Sequence, residues 1–281
     1  MSIAKRLTRK ANNIDSYLFE PINAYLEGKQ AERSDGHSWA GMGYKFYPSA
    51  IQNINFCPKQ FVEETVHTPM YFQLSALESM QIGNEFHSAY QAIAEEIPNF
   101  GMSPNYDYFE SLFGREETAK AKAKLTGKWT EIPLHDPVSG FSMRMDMVTR
   151  NPAIIIDIKT IGQENNVKNK KTGEVKYDMW EDLKPKLAKE EHKLQVGFYL
   201  YFSNLYRLFP EPIKTGGVAY INTRMGNEVN KHETSFVYTD QMDHIIGAIV
   251  GRLTAHREAW LEHLTIPCEY SYCGIHGGTP V

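Results

Sequence analysis

The stretch 140–160, GFSMRMDMVTRNPAIIIDIKT, decides the fold of this chain. It contains two β-prone runs, Gly140–Thr149 and Ala153–Thr160, which the turn signal Asn151-Pro152 separates. The later run is apolar on both faces of a strand, so we expect it in the centre of a sheet. A third β-prone run, Trp129–Leu134, comes shortly before them. Together the three runs predict a meander of neighbouring strands.

Helical patterns lie on both sides of this meander. Four segments are predicted to be helices: Ser75–Ile97, Glu116–Leu125, Glu190–Leu208 and Asp240–Leu264. Two further strands are predicted between the last two helices, at Val218–Thr223 and Glu233–Tyr238. The hydrophilic residues 161–190 are interpreted as a surface excursion, and residues 1–48 as an N-terminal arm.

The composition narrows the class of protein. With 281 residues, 42% of them hydrophobic, the chain is able to bury the core of one large domain, which excludes a disordered or fibrous protein. Its net charge of -4 excludes a highly basic coating protein, so any polyanion must be held by a local patch. No stretch approaches the roughly 20 apolar residues of a membrane helix, and the basic start lacks the apolar core of a secretion signal. We therefore expect an intracellular, cytoplasmic protein without membrane contact.

Two acids and a lysine lie on neighbouring strands of the meander. Asp157 and Lys159 are two positions apart and project from one face of their strand, and Asp146 lies on the strand before it. Carboxylates bind Mg²⁺ or Mn²⁺, the metal polarises a phosphate and activates water, and an ammonium group stabilises negative charge. The set therefore suits metal-dependent phosphodiester hydrolysis. A hairpin with ordinary exposed charges gives the same pattern, so on its own the set leaves both interpretations open.

Two helical pairs flank these strands. Gly83 and His87 are four positions apart before the meander, while Gln195 and Tyr199 are four apart after it, so that the amide and the phenol share a helix face. Each pair alone is more typical of packing or helix surface than of a site. The ordered combination of both pairs with the acids and the lysine favours an active site.

This ordered series resembles the motifs of the PD-(D/E)XK nucleases, specifically the RecB-like branch with the RecB and AddB nuclease domains and the CRISPR-adaptation nucleases. The residues that carry the resemblance are Gly83-x-x-x-His87, Asp146, Asp157-x-Lys159 and Gln195-x-x-x-Tyr199. It covers about residues 49–276 and implies an α/β, restriction-endonuclease-like core with a central mixed β-sheet flanked by helices, in a nuclease domain over residues 49–281. The second acid is Asp rather than Glu, which this branch permits.

The resemblance also implies roles for these side chains. The magnesium would be surrounded by His87, Asp146, Asp157 and the backbone carbonyl of Ile158. Lys159 would be the catalytic lysine. Gln195 would hold the lysine or the attacking water, and Tyr199 would contact the nucleic-acid backbone.

The cysteines bracket the nuclease motifs. Three cysteines are too few for a disulfide scaffold and fit a reducing compartment. Many RecB-like nucleases resemble the layout here, with one cysteine before the core and three after it that hold an iron-sulfur cluster. His276 stands where the third tail cysteine is missing, so the set Cys57, Cys268, Cys273 and His276 suits structural Zn²⁺ at least as well as a [4Fe-4S] cluster. Such a metal would clamp the tail, residues 265–281, to the core; three unrelated buried thiols are the alternative.

Basic residues have to supply any groove for nucleic acid. The candidates are Lys120, Lys122, Lys124 and Lys128 before the first strand, and Lys168, Lys170, Lys171 and Lys176 in the excursion, with Tyr177 and Trp180 nearby for base stacking. Charge runs of this kind are also ordinary solvated surface, so the contact stays a hypothesis.

The predicted function is metal-dependent DNA hydrolysis, with an exonuclease favoured. Its substrate would be DNA that is single-stranded or has free ends, in replication, recombination or repair. The alternatives are a structure- or sequence-specific endonuclease, a catalytically idle module for DNA binding or assembly, and a small-molecule metalloenzyme. RecB-like domains are often attached to helicases, and no helicase motif is recognisable here, so a helicase or recombination protein would have to be a separate partner chain.

Overall fold

In the computed structural model, the described residues are 46–51, 74–161, 166–168, 172, 175–178, 189–222 and 231–261. The chain divides into two compact units, Met1–Tyr44 with Val62–Ile82, and Lys45–Phe61 with Gly83–Val281. The described part of the first unit is the first nine residues of one helix, 74–82. Among the described residues, no helix is long and apolar enough to cross a membrane.

The second unit is built around a mixed five-stranded sheet. Its strands are β1 Thr130–His135, β2 Ser142–Arg150, β3 Ala153–Ile161, β6 Thr215–Asn222 and β7 Lys231–Val237, in the spatial order β1-β2-β3-β6-β7. The β1-β2-β3 meander is antiparallel, β3 pairs in parallel with β6, and β7 is antiparallel to β6. The meander is confirmed, and its apolar third strand lies in the centre of the sheet, as its sequence predicts.

Helices cover the sheet. They are α1 Leu74–Glu95, α2 Asp107–Lys122, α3 Glu190–Leu205 and α4 Asp240–Leu261. From Gly83 onward, α1 packs Phe86 and Tyr90 against the sheet face that presents Met147, Ile158 and Ile221. Successive strand residues point to opposite faces, and α3 packs beside the alternate residues; a Cβ on Gly216 would stand 2.7 Å from Val196 Cγ1. The sheet flanked by helices is thus an α/β core of the expected class.

Among the described residues, several predicted helix bounds are corrected, including the start of α2 and the end of α3. Helix α2 begins at Asp107 rather than Glu116 and includes a non-helical Gly114 with φ 83°, which interrupts the periodicity that the prediction used. Helix α3 ends at Leu205 rather than Leu208. There Arg207 adopts a φ of 49°, and the Leu208 amide donates to the Ser203 carbonyl, a hydrogen bond typical of a helix C-terminus.

The predicted excursion contains a small sheet of its own. Strands β4 Asn166–Lys168 and β5 Val175–Asp178 pair in antiparallel fashion with an irregularity between Val167 and Lys168. The hydrophilic composition of residues 161–190 gave no strand signal, because two short strands with one β-branched residue each are too brief to show an alternating pattern.

Candidate active site

Strand β3 directs two functional side chains toward helix α3. Asp157 and Lys159 lie beside Val218 and Tyr220 of β6 in the parallel register. The Lys159 Nζ atom lies 2.8 Å from Asp157 Oδ2. Because β3 is a central strand, Asp157 is only 1% exposed; it pairs with Val218 of β6, and its neighbour Ile156 pairs with Met147 of β2.

Asp146 reaches the same place from the neighbouring strand β2. Its Oδ2 atom accepts a hydrogen bond of 2.6 Å from the backbone amide of Ile158. The same oxygen lies 3.6 Å from Nδ1 of His87 on helix α1. The backbone amide of Ile158 therefore holds Asp146 in place. The structure brings the four predicted side chains of His87, Asp146, Asp157 and Lys159 together.

Gly83 lets α1 approach β3 closely, one turn before His87. A Cβ atom at this position would stand 2.7 Å from Thr160 Oγ1. The absence of a side chain thus permits the helix to pack against the strand, and the four-residue spacing then carries His87 toward Asp146. This close packing gives a physical reason for the Gly-x-x-x-His pattern.

Gln195 connects the two charged groups of β3. Its Oε1 accepts a hydrogen bond from Lys159 Nζ at 2.9 Å, and its Nε2 donates to Asp157 Oδ1 at 3.0 Å. Nε2 also donates to the Tyr199 hydroxyl at 2.6 Å. The i,i+4 spacing on α3 makes this last bond possible, and Tyr199 lies behind the amide, only 4% exposed.

Burial controls the electrostatics of this cluster. It raises the pKa of Asp146 well above the usual range, with the negative charge of Asp157 as the next cause. Burial also raises the pKa of Asp157, against which the Lys159 charge acts. Burial lowers the pKa of His87, and Lys159 adds to that effect, so the imidazole is neutral near pH 7. A cation beside the two acids would favour their ionised forms.

The donors fit a hard divalent cation that keeps part of its hydration. Among the described residues, Asp157 Oδ2 is buried and accepts no hydrogen bond of suitable geometry, although the ammonium group lies 2.8 Å from it. Within the same part of the chain, no three His, Cys, Asp or Glu side chains converge as a complete ligand set. Mg²⁺ commonly binds one or two carboxylates and retains several waters, so Asp146 and Asp157 suffice as its protein carboxylates.

Three further residues at the site were missed by the sequence analysis. Glu131 on β1 lies opposite Asp146, because its neighbours pair with Met147 and Met145. Its Oε1 accepts from Gln91 Nε2 at 2.6 Å, and its Oε2 accepts from Arg144 Nη1 at 2.8 Å. A signal was present in Arg144-x-Asp146, which repeats on β2 the spacing of the acid and the lysine on β3.

Several predicted residues lie outside the described part of the chain. These are Cys57, Lys170, Lys171, Trp180, Cys268, Cys273 and His276. The backbone of Lys168 belongs to β4, but its side chain is not among those described. Of the lysines before β1, Lys120 is paired with Glu116 and Glu117, and Lys122 lies over the Tyr106 ring.

Comparisons with known proteins give only distant likenesses. No protein-family model matches the chain, and no curated protein matches it significantly. An alkaline exonuclease from Laribacter hongkongensis is 13% identical with a TM-score of 0.41, over 78% of this chain and 90% of that one. Its complex with dAMP is 14% identical with the same TM-score and the same coverage. A phage-related exonuclease from Haemophilus somnus is 10% identical with a TM-score of 0.36, over 79% of this chain and 96% of that one. These likenesses are too distant to assign a function, so the contacts of the site have to support it.

Proposed function

We propose that this protein is a divalent-metal-dependent deoxyribonuclease of the RecB-like type, which hydrolyses phosphodiester bonds at DNA ends. The observation that carries the proposal is the buried pair Asp146 and Asp157, in which Asp146 accepts from the Ile158 amide and Asp157 is joined to Lys159 through the Gln195 amide. Two acids whose pKa values are raised by burial are costly to ionise, and a divalent cation offsets that cost. The presence of two such acids beside the ammonium group of Lys159 favours an active site over a structural ion pair.

The cation would be Mg²⁺ or Mn²⁺, held by Asp146, Asp157, the carbonyl oxygen of Ile158 and His87. When bound, it would supply Lewis-acid activation of the scissile phosphate. Lys159 stabilises the negative charge that develops on the phosphate, and its ammonium group is oriented for this by Asp157 and Gln195. Tyr199 fixes the Gln195 amide from behind. Its burial supports this positioning role more directly than contact with the nucleic-acid backbone.

Cleavage assays test the proposal. Purified protein is incubated with end-labelled single- and double-stranded DNA in Mg²⁺, Mn²⁺ or EDTA, and we expect hydrolysis with either metal and none in EDTA. Asp157→Asn and Lys159→Met should each lower the single-turnover rate at least about 100-fold, because each removes several kcal/mol of charge stabilisation. Near-normal cleavage by either variant at matched metal concentration means that the site is assigned wrongly.

A buried aspartate away from the site provides the matched control. Asp136 accepts hydrogen bonds from the Ser139 amide and the Tyr206 hydroxyl at 3.0 and 2.6 Å. Asp136→Asn should lower the melting temperature and leave the rate constant of the folded protein unchanged. If Asp136→Asn loses rate to the same extent as Asp157→Asn, the loss in Asp157→Asn comes from impaired folding and not from a missing metal ligand.

Metal binding is measurable without any cleavage. Since a ligand that binds only the folded state stabilises it, millimolar Mg²⁺ should raise the melting temperature of the wild-type protein. Asp157→Asn should lose that increase. This result would show metal binding at the acids, and the cleavage assay then separates an active nuclease from a catalytically idle module that still binds Mg²⁺.

The requirement for a DNA end separates exonuclease from endonuclease. We expect a linear single strand to be degraded and a covalently closed single-stranded circle of the same sequence to persist. Efficient cutting of the circle would establish the endonuclease instead.

The proposal includes a helicase or recombination protein as partner. Addition of such a motor should extend the length of duplex degraded.

A further inference from the structure

Glu131 lies in a backbone conformation that residues with side chains rarely adopt. It has a φ of 50° within β1, opposite Asp146. Both of its carboxylate oxygens are engaged, one by Gln91 of α1 and the other by Arg144 of β2. Gln91 is itself buried and donates a second hydrogen bond of 3.2 Å to the Asp146 carbonyl. The Glu131 carboxylate is therefore fixed relative to the active site from two elements.

This carboxylate orients Arg144 at the rim of the site. Arg144 precedes Asp146 by two positions, so it projects from the same face of β2, about 7 Å along the strand. Its Nη1 donates to Glu131, while the side chain is 55% exposed. A guanidinium group has five N–H donors and a planar shape that matches phosphate oxygens. The exposed N–H donors of Arg144 are thus oriented to bind an anion beside the acids.

Arg144 also lines two clefts on the surface of the second unit. One has a volume of about 590 Å³, and its walls include Asn84, His87, Ser88, Gln91, Glu131 and Arg144, of which His87 and Gln91 contact Asp146. The other, of about 810 Å³, lies between α2 and the strands β1 and β2; its walls include Tyr47, Lys120, Lys124, His135, Ser142 and Arg144. Each volume falls within the roughly 300–1,000 Å³ typical of ligand sites.

The charges of the second cleft suit a strand of phosphodiesters that passes Arg144, because its lining holds Lys120, Lys124 and Arg144 against Glu117 alone. In the second cleft, Glu117 is neutralised by Lys120 at 2.7 Å, and Lys124 is exposed. In the first cleft, Glu95 accepts hydrogen bonds from the Lys128 amide and Thr130 Oγ1, and Glu131 is neutralised by Arg144. Lys124 lines the second cleft, and Arg144, which lines both clefts, keeps exposed N–H donors besides the one that bonds Glu131.

We propose that Arg144, oriented by Glu131, binds the phosphate next to the scissile one, and that the DNA strand continues over the β1–β2 edge toward Lys124. This inference rests on the nuclease proposal and adds the path of the substrate. Arg144 and Lys124 are phosphate contacts, and Glu131 is a positioning residue.

Binding of a fluorescent single-stranded oligonucleotide tests the path. It is measured by anisotropy across a series of salt concentrations, in the full chain with Asp157→Asn to prevent cleavage. Arg144→Ala should weaken binding about tenfold and lower the slope of log affinity against log salt by about one, because one phosphate contact is lost. Lys124→Ala should lower the slope by a similar amount. Arg144→Lys should keep the slope and lose part of the affinity, since the charge remains and the bidentate geometry does not.

Two further variants test whether the loss of binding is specific to Arg144 and to its orientation by Glu131. Arg150→Ala removes the same charge from the far end of β2, about 20 Å from Arg144, and should leave affinity and slope unchanged. Glu131→Gln should weaken binding several-fold with an unchanged slope, because the arginine remains but is no longer held. A merely structural role of Glu131 would lower the melting temperature without that change in affinity.

The outcomes distinguish this inference from the nuclease proposal. If the wild-type protein neither binds nor cuts DNA, the nuclease proposal fails. If the wild-type protein cuts DNA while folded Arg144→Ala or Lys124→Ala keeps the original salt slope, the path is overturned and the nuclease proposal stands. Lys124 is exposed, so its variant gives a result even where Arg144→Ala does not fold.

Discussion

At the scale of single residues, the Gln195 amide joins the parts of the site. Its oxygen accepts from Lys159, and its nitrogen donates to both Asp157 and Tyr199. The lysine and the acid are thus held at a fixed separation by a side chain that carries no charge. This arrangement gives Gln195 an influence on the rate although it is not expected to touch the substrate.

Gln195→Ala should lower the single-turnover rate constant about 10- to 100-fold, the usual range for partners that orient metal ligands. The Michaelis constant for DNA should change little, because phosphate contacts are retained. Asn204→Ala is the control on the same helix: its amide bonds the backbone of Ile213 at 2.9 and 3.0 Å, away from the site. It should lower thermal stability and keep the rate. An unchanged rate in Gln195→Ala would remove the amide from the mechanism.

His192 provides a prediction about pH. Its Nδ1 lies 2.7 Å from the Tyr220 hydroxyl, and burial, with Lys159 and Lys189, lowers its pKa from 6.5 to about 4. Between those values the unfolded chain binds a proton at this residue and the folded chain does not. The contribution of the neutral His192 to the free energy of unfolding is therefore fully present above pH 6.5 and is lost as the pH falls toward 4.

The measurement is urea denaturation from pH 7.5 to 4. The free energy of unfolding of His192→Gln should fall less steeply than that of the wild-type protein below pH 6.5. The raised pKa values of Asp146 and Asp157 act in the opposite direction, but they are common to both proteins and cancel in the difference. Parallel curves over the whole range would contradict the assignment to His192.

At the scale of elements, the contact of α1 with β3 sets the distance between His87 and Asp146. Gly83→Ala places a Cβ against Thr160 Oγ1 and should push the helix outward. We expect a loss of about tenfold in the cleavage rate and a smaller effect on melting temperature, because a buried overlap costs about 1–3 kcal/mol. Thr160→Ala in the same chain should restore most of the rate. If the double variant is no faster than Gly83→Ala, the helix position is not the cause.

The elements also show what the sequence was able to predict. The meander and the two later strands were placed within a few residues, because β-branched and apolar runs between turn residues are local signals. The start of α2 was missed because Gly114 interrupts its periodicity, and the turns before Gly114 are held by a distant contact, since Phe109 and Phe113 pack on Tyr206, almost a hundred residues away along the chain. The fixed position of Glu131 was missed for a similar reason. Its φ of 50° depends on bonds from α1 and β2, which no local pattern records.

At the scale of the whole molecule, the predicted structural metal would tie together distant parts of the chain. Cys57, Cys268, Cys273 and His276 lie outside the described residues, so their prediction rests on the sequence. Cys268→Ser should lower the melting temperature and the metal content before it affects the cleavage rate, since binding energy of a structural metal is folding energy.

Elemental analysis after anaerobic purification checks the metal and identifies it. A [4Fe-4S] protein is brown with broad visible absorption, whereas a zinc protein is colourless. Less than about a tenth of an equivalent of either metal, together with unaltered stability in Cys268→Ser, would favour three ordinary buried thiols.

The parallel pairing of β3 with β6 decides when the site first exists during synthesis. Asp157 pairs with Val218, so 61 residues (218 − 157) separate the strand with the acids from its second neighbour. Parallel neighbours need such a crossover, and contacts between distant segments form slowly. A nascent chain that has not yet emerged beyond Asn222 cannot bury Asp157 or complete its surroundings. On the ribosome, the growing chain therefore has no complete site until the residues of β6 have emerged.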